Sequence, residues 1–136
     1  MSKARIEERK QAAITRVTKQ VFPFTTNNRQ TLFGGIAMQW LDEVGFITAT
    51  RFTRQNMVTV SMDKIDFKVP IPSGSIVDLV GEIEHVGHTS VGVLVTVTRE
   101  NMYEGGRVVA MTGKLSFVAV DKQTRPVALS VHSATD

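Results

Sequence analysis

The sequence predicts an α+β fold in which one long helix lies against an antiparallel sheet of about five strands. Three observations carry that prediction. A single proline-free run has apolar residues at helical spacing, most of the remaining chain alternates with period two, and glycine- and proline-containing turns separate the alternating runs. The order is strand, helix, then four strands in succession, which argues for an antiparallel sheet.

Residues 13–22 form a short first strand with weak patterning. The polar stretch 24–30, FTTNNRQ, is turn-like and feeds a helix N-terminus. Gly34-Gly35 opens a helix over 36–52, in which Ile36, Trp40, Val44 and Ile47 share one face. The next strand begins with Val58, Val60 and Met62 and continues in the opposite phase through Ile65, Phe67 and Val69. That slip predicts a β-bulge near Asp63-Lys64, because alternation cannot otherwise change face. Pro70-Ile71-Pro72-Ser73-Gly74 turns the chain into a strand marked by Val77, Leu79 and Ile83. A turn over 85–89 containing Gly87 leads to the cleanest strand, with Val91, Val93, Val95 and Val97 on one side and Ser90, Gly92, Thr96 and Thr98 on the other. Gly105-Gly106 fits a hairpin, and Met111, Leu115, Phe117 and Ala119 mark the last strand. One domain is expected over 1–136, with its core at about 12–121 and a loosely ordered tail over 122–136. One helix covers only one face of such a sheet, so oligomerisation is expected to bury the remaining apolar surface and edges.

Composition narrows the function classes. A chain of 136 residues that is 42% hydrophobic and 21% charged has the makings of a globular core, which excludes disordered and fibrous classes. The absence of cysteine removes disulfides, a thiolate nucleophile and any Cys-ligated metal. No apolar stretch approaches the ~20 residues needed to cross a bilayer. The charged start, MSKARIEERKQAA, lacks the apolar segment of a secretory signal, so a cytoplasmic address and no membrane partner are expected. A net charge of +3 without a basic stripe argues against a nucleic-acid partner and is compatible with a small polyanionic ligand.

No GxSxG elbow, GxGxxG fingerprint, P-loop or HExxH pair is present. His85, His88 and His132 have no metal-ligand spacing and read as surface or edge residues, so no metal site is expected. What stands out is the helix start. Gly34-Gly35 is a poor choice for helix stability, at roughly 0.5–1 kcal/mol per glycine against alanine. Two glycines there admit another group close to unpaired backbone N–H groups and the positive end of the helix dipole, which is oxyanion-hole geometry. Packing against a strand explains the same glycines equally well. Asp42, two turns further on, has Met38, Gln39, Gly45, Phe46 and Ala49 as helical neighbours, and a desolvated carboxylate suits general-base work. The alternative for Asp42, and the favoured reading for Glu43, is the solvated side of an amphipathic helix. Trp40 and the methionines read as core. Lys64, Lys68, Arg51 and Arg54 are candidates for phosphate contacts, with solvated charge as the commoner explanation.

The run TLFGGIAMQWLDEVGFITATRF, followed by MVTVSMDKIDFKVPIPSG and VGHTSVGVLVTV, resembles the hotdog-fold acyl-CoA thioesterases. The resemblance extends over about 15–120 and is nearest to the cytosolic acyl-CoA hydrolases, including small bacterial single-hotdog enzymes. It implies a long central helix wrapped by the sheet, in homodimers that join their sheets and assemble further into a hexamer, with active sites at the dimer interface. It implies hydrolysis of acyl-CoA to free acid and coenzyme A, with coenzyme A present only as part of substrate and product and no further cofactor. Asp42 then corresponds to the catalytic carboxylate, as general base or nucleophile, and Gly34 and Gly35 to the oxyanion donors. A second polar role before the helix falls to one of Asn27, Asn28, Gln30 and Thr31, the asparagine being available at position 27 or 28, with Asn27 and Thr31 taken as the candidates. Thr59, Ser61, Thr89 and Ser90 correspond to coenzyme contacts. A non-catalytic acyl-CoA-binding regulator is the alternative, whereas a hotdog dehydratase needs a histidine near the helix start, where none lies.

Overall fold

The period-two runs pair into one five-stranded antiparallel sheet in the computed structural model, which describes residues 1–133. The chain runs α1 (Lys3–Ala13), β1 (Thr15–Gln20), a 3₁₀ turn (Pro23–Thr25), α2 (Gly34–Thr53), β2 (Met57–Phe67), β3 (Ile76–Val86), β4 (Ser90–Asn101), β5 (Gly105–Ala119) and a 3₁₀ turn (Ser130–His132). Strand order across the sheet is β1-β3-β4-β5-β2, leaving β1 and β2 as edges. The sheet curls around α2, and the core lies between them.

The valines of β4 behave as their alternation predicts, with Val91, Val93, Val95 and Val97 all buried. Met111, Leu115, Phe117 and Ala119 of β5 and Val77 and Leu79 of β3 line the same interior. The close approach of α2 to β3 depends on Gly81, where an added Cβ would stand 2.3 Å from Thr48 Oγ1.

Four expectations are corrected. The helix face that meets the sheet is Ala37, Leu41, Val44, Gly45, Thr48, Ala49 and Phe52. Of the expected stripe only Val44 is buried; Ile36 and Trp40 are half-buried and Ile47 is 39% exposed. Small residues carry little weight in a hydropathy pattern, yet they let a helix sit close to a sheet.

The second correction is α1, which lies in a segment with no amphipathic periodicity. Its residues are strong helix formers, Ser2 caps it by accepting from Arg5 N, and Arg5–Glu8 and Lys10–Glu7 pair one turn apart, each at 3.2 Å. Third, β2 does shift register between Met62 and Lys64, around the expected bulge, but it shifts again between Thr59 and Ser61. Val60 therefore faces outward, 56% exposed, and Met57 takes the buried position. Fourth, the segment expected as a loose tail is docked as far as it is described. Leu129 and Val131 are 2% and 1% exposed, Ser130 Oγ donates to Thr53 O, and Leu129 N donates to His88 O. Residues 134–136 lie outside the described chain.

Candidate active site

Asp42 is half-buried on the flank of α2 nearest β2. Its Oδ1 accepts a 2.8 Å hydrogen bond from Thr59 Oγ1. Thr59 immediately precedes the first register shift of β2, and a bulge at an edge re-aims the side chains beside it. Oδ2 of Asp42 is left to meet water or substrate. Glu43 is exposed and accepts only from Gln39 Nε2 at 3.4 Å, one turn back on the same helix, so it belongs to the solvated face.

The entrance of α2 is uncapped. Phe33 occupies the N-cap position without a side-chain hydrogen bond, so the N–H groups of Gly34, Gly35 and Ile36 have no intrahelical acceptor. A Cβ on Gly34 would meet nothing nearer than the Phe67 ring at 3.8 Å, an ordinary contact. Packing within the protomer does not explain glycine there. At Gly35 the Cβ would come to 3.0 Å of the Phe33 ring, a movable neighbour.

Gly34 opens onto a cleft of about 360 Å³ shared with Asn27, Thr31, Leu32, Phe67 and Lys68. Among the described residues lining it, Lys68 alone is charged. Asn27 Oδ1 accepts from Arg29 N at 2.9 Å and from Thr31 N and Oγ1, each at 3.2 Å. That acceptor organises the loop and leaves the Asn27 amide donors for the cleft. Asn28 and Gln30 are exposed and absent from its lining, Gln30 being used by the turn at φ 60°.

The structure thus gathers the expected residues into separate groups. Asn27, Thr31 and Gly34 share the cleft, and Gly35, the next residue of α2, is exposed and not part of its lining. Asp42 and Thr59 form a second pair, and eight residues of helix, about 12 Å, separate Gly34 from Asp42. Ser61 is half-buried further along β2. Thr89 lies in the β3–β4 turn and Ser90 opens β4, where Gly87 N donates to Ser90 O and Ala119 N donates to Thr89 O. No cluster of three or more metal-ligating side chains occurs among the described residues. Sequence reasoning missed the hydroxyl–carboxylate pairing of Thr59 with Asp42, since nothing local links positions on α2 and β2.

Comparison with known proteins resolves the family. Residues 29–105 match the thioesterase superfamily. The chain belongs to that superfamily. An uncharacterized acyl-CoA thioester hydrolase of Bacillus subtilis is 43% identical over 110 residues, covering 81% of this chain and 64% of that protein. The chain therefore spans slightly under two thirds of that relative's length. The acyl-CoA hydrolase of Staphylococcus aureus, solved with butyryl coenzyme A and coenzyme A, superposes with TM-score 0.84 at 32% identity over 88% of this chain and 73% of that one. Structures of the same enzyme carry alanine in place of an aspartate, a threonine or an asparagine. A hexameric acyl-CoA thioesterase superposes with TM-score 0.85 at 33% identity over 88% of this chain and 77% of that one. The two-helix, five-strand architecture of this thioesterase-superfamily chain is the hotdog fold.

Proposed function

We propose that the chain is an acyl-CoA thioesterase that hydrolyses the thioester to a carboxylic acid and free coenzyme A. The observation that carries this reading is the half-buried Asp42 held by Thr59, on the same helix whose uncapped entrance opens beside a mostly apolar cleft. Supporting it, the three residues replaced by alanine in the Staphylococcus aureus enzyme are an asparagine, an aspartate and a threonine. They are spaced fifteen and then seventeen residues apart, as are Asn27, Asp42 and Thr59.

The chemistry follows from these groups. Thr59 fixes one oxygen of Asp42, and the other takes a proton from water as the water attacks the thioester carbon. The carbonyl oxygen gains negative charge and is met by the N–H groups of Gly34 and Gly35, donors of a kind worth roughly 2.7–4 kcal/mol each in other enzymes. Collapse breaks the C–S bond, and the proton on Asp42 passes to the departing thiolate. Direct attack by the carboxylate uses the same free oxygen and forms an anhydride that water then opens. Asn27, braced with Thr31, orients the acyl group or the attacking water, and Thr59, Ser61, Thr89 and Ser90 border the path of the coenzyme.

Asp42 and the helix entrance lie too far apart in one protomer to hold the same thioester. A two-fold partner would reconcile them if the Asp42 flank of one copy meets the helix entrance of the other, since an isologous interface then builds the same site twice. The open β2 edge, with Val60 and Phe67 56% and 61% exposed, is the surface for that pairing, and a hexamer extends it. The test is coenzyme A release, read with a thiol reagent across acetyl- to palmitoyl-CoA, for wild type and Asp42→Asn. The chain has no cysteine to contribute background. Turnover lost in the variant supports the reading. Tight acyl-CoA binding without turnover by wild type replaces it with a ligand-sensing role, and full turnover by Asp42→Asn removes the aspartate from the mechanism.

A further inference from the structure

A second cleft, of about 490 Å³, lies where α1 crosses the end of α2, away from Asp42 and the α2 entrance. Its lining is Arg5, Glu8, Arg9, Ala12, Arg51 and Arg54. Four guanidinium groups against one carboxylate leave three net positive charges, equal to the net charge of the whole chain. Glu8 pairs with Arg5 at 3.2 Å, and Glu8 is the one acidic residue of the lining.

Helix electrostatics account for half of this arrangement. Arg51 and Arg54 close the C-terminus of α2, where cations oppose the dipole. Arg5 and Arg9 have no such reason. They stand one turn apart on α1, a like-charge spacing that destabilises a helix, and the first turn of α1 holds no acidic residue. The guanidinium of Arg9 is pushed below its ordinary range, first by burial and then by the charges of Arg5 and Arg54. Arg51 is held in place, its Nη1 donating to Thr15 Oγ1 at 3.2 Å. Arg54 caps α2 in the left-handed region at φ 52°. The chain thus concentrates mutually repelling planar donors around a cavity.

We propose that this cleft is an anion site for a diphosphate-sized, phosphate-bearing ligand gripped by Arg5, Arg9, Arg51 and Arg54. A carboxylate offers two oxygens in one plane and answers one fork. A diphosphate offers oxygens in several directions and carries about three negative charges near neutrality, which suits guanidinium groups arriving from two helices. That chemistry has two sources, a free polyphosphate and the nucleotide end of coenzyme A.

The test is calorimetric titration of pyrophosphate into the full chain at constant ionic strength, with sulfate as control, for wild type, the double variant Arg9→Gln/Arg54→Gln, and Ala12→Glu. Saturable pyrophosphate binding by wild type is expected to exceed that of sulfate and to weaken at least about tenfold in each variant. The double variant, relieved of repulsion, is expected to melt no lower than wild type. Ala12→Glu leaves all four arginines in place and adds a carboxylate to the cleft, so it tests the site without removing a donor. Absent or sulfate-like binding overturns the site, as does equal affinity in wild type and both variants. Coenzyme A titrated against saturating pyrophosphate separates the sources. Competition assigns the cleft to the coenzyme's nucleotide, and undiminished coenzyme A affinity assigns it to a free polyphosphate.

Discussion

The hydrogen bond from Thr59 to Asp42 divides the catalytic proposal into two separable parts, a reacting oxygen and a held one. Asp42→Asn keeps the shape and removes the base, so the rate of coenzyme A release is expected to fall about 10²–10⁴-fold. Thr59→Val keeps the volume and removes the donor, a bond to a charged group worth about 1.5–3 kcal/mol. The expected result is a roughly tenfold or greater loss in kcat with little change in KM, rescued by Thr59→Ser, which restores the hydroxyl. Gly34 separates two readings that its sequence context leaves open. An alanine there has room in the protomer, so Gly34→Ala is expected to melt like wild type while losing turnover; a variant that loses neither removes close approach at the entrance from the mechanism. Asp42 drew attention as a carboxylate among largely apolar helical neighbours, but those neighbours left a solvated face equally open, and its proposed role came from the family resemblance. The hydrogen bond from Thr59 was not legible, because it depends on where β2 shifts register, and that is a property of the assembled sheet.

At the scale of elements, the strands were legible wherever one side is dry. β4 is buried on alternate residues, and its valines announce it. β2 alternates poorly because it is an edge with two shifts, and α1 was invisible because it is polar on nearly every side and stabilised by propensity, a cap and exposed ion pairs. The deep face of α2 was misread for a related reason. Gly45, Thr48 and Ala49 define it by being small, and the contact becomes visible only with the partner strand in place. Gly81 on β3 is the other half of that contact. Gly81→Ala forces its new methyl against Thr48 Oγ1, and overpacking of this kind costs about 1–3 kcal/mol, to be read as a lowered denaturation midpoint with unchanged slope. The companion change Thr48→Ala opens that space and is expected to recover part of the loss.

On the scale of the whole molecule, the last described segment and the open edge are opposite cases. The segment after β5 is held by two aliphatic side chains and by hydrogen bonds to Thr53 and Gln55, features scattered through a polar stretch that gave no pattern to read. A chain ending at Pro126 exposes the ground beneath Leu129 and Val131, each worth about 1.5–3 kcal/mol of burial, and is expected to unfold at clearly lower denaturant.

The edge asks for surface rather than giving it up. β2 has unpaired backbone along one side, Val60 and Phe67 stand well exposed on it, and it carries Thr59. Val60→Lys leaves the protomer's core untouched and puts a charge on the edge proposed to pair with its copy. On the proposed two-fold pairing, the expected outcome is a folded species of lower mass by light scattering, with native circular dichroism and little thioester hydrolysis, because that pairing is what brings Asp42–Thr59 to a helix entrance. A folded monomer with full turnover would show that one protomer assembles the site alone. An unchanged oligomer with full turnover would move the interface elsewhere on the surface. Only the joint loss of mass and turnover ties the chemistry of Asp42 to the edge beside it.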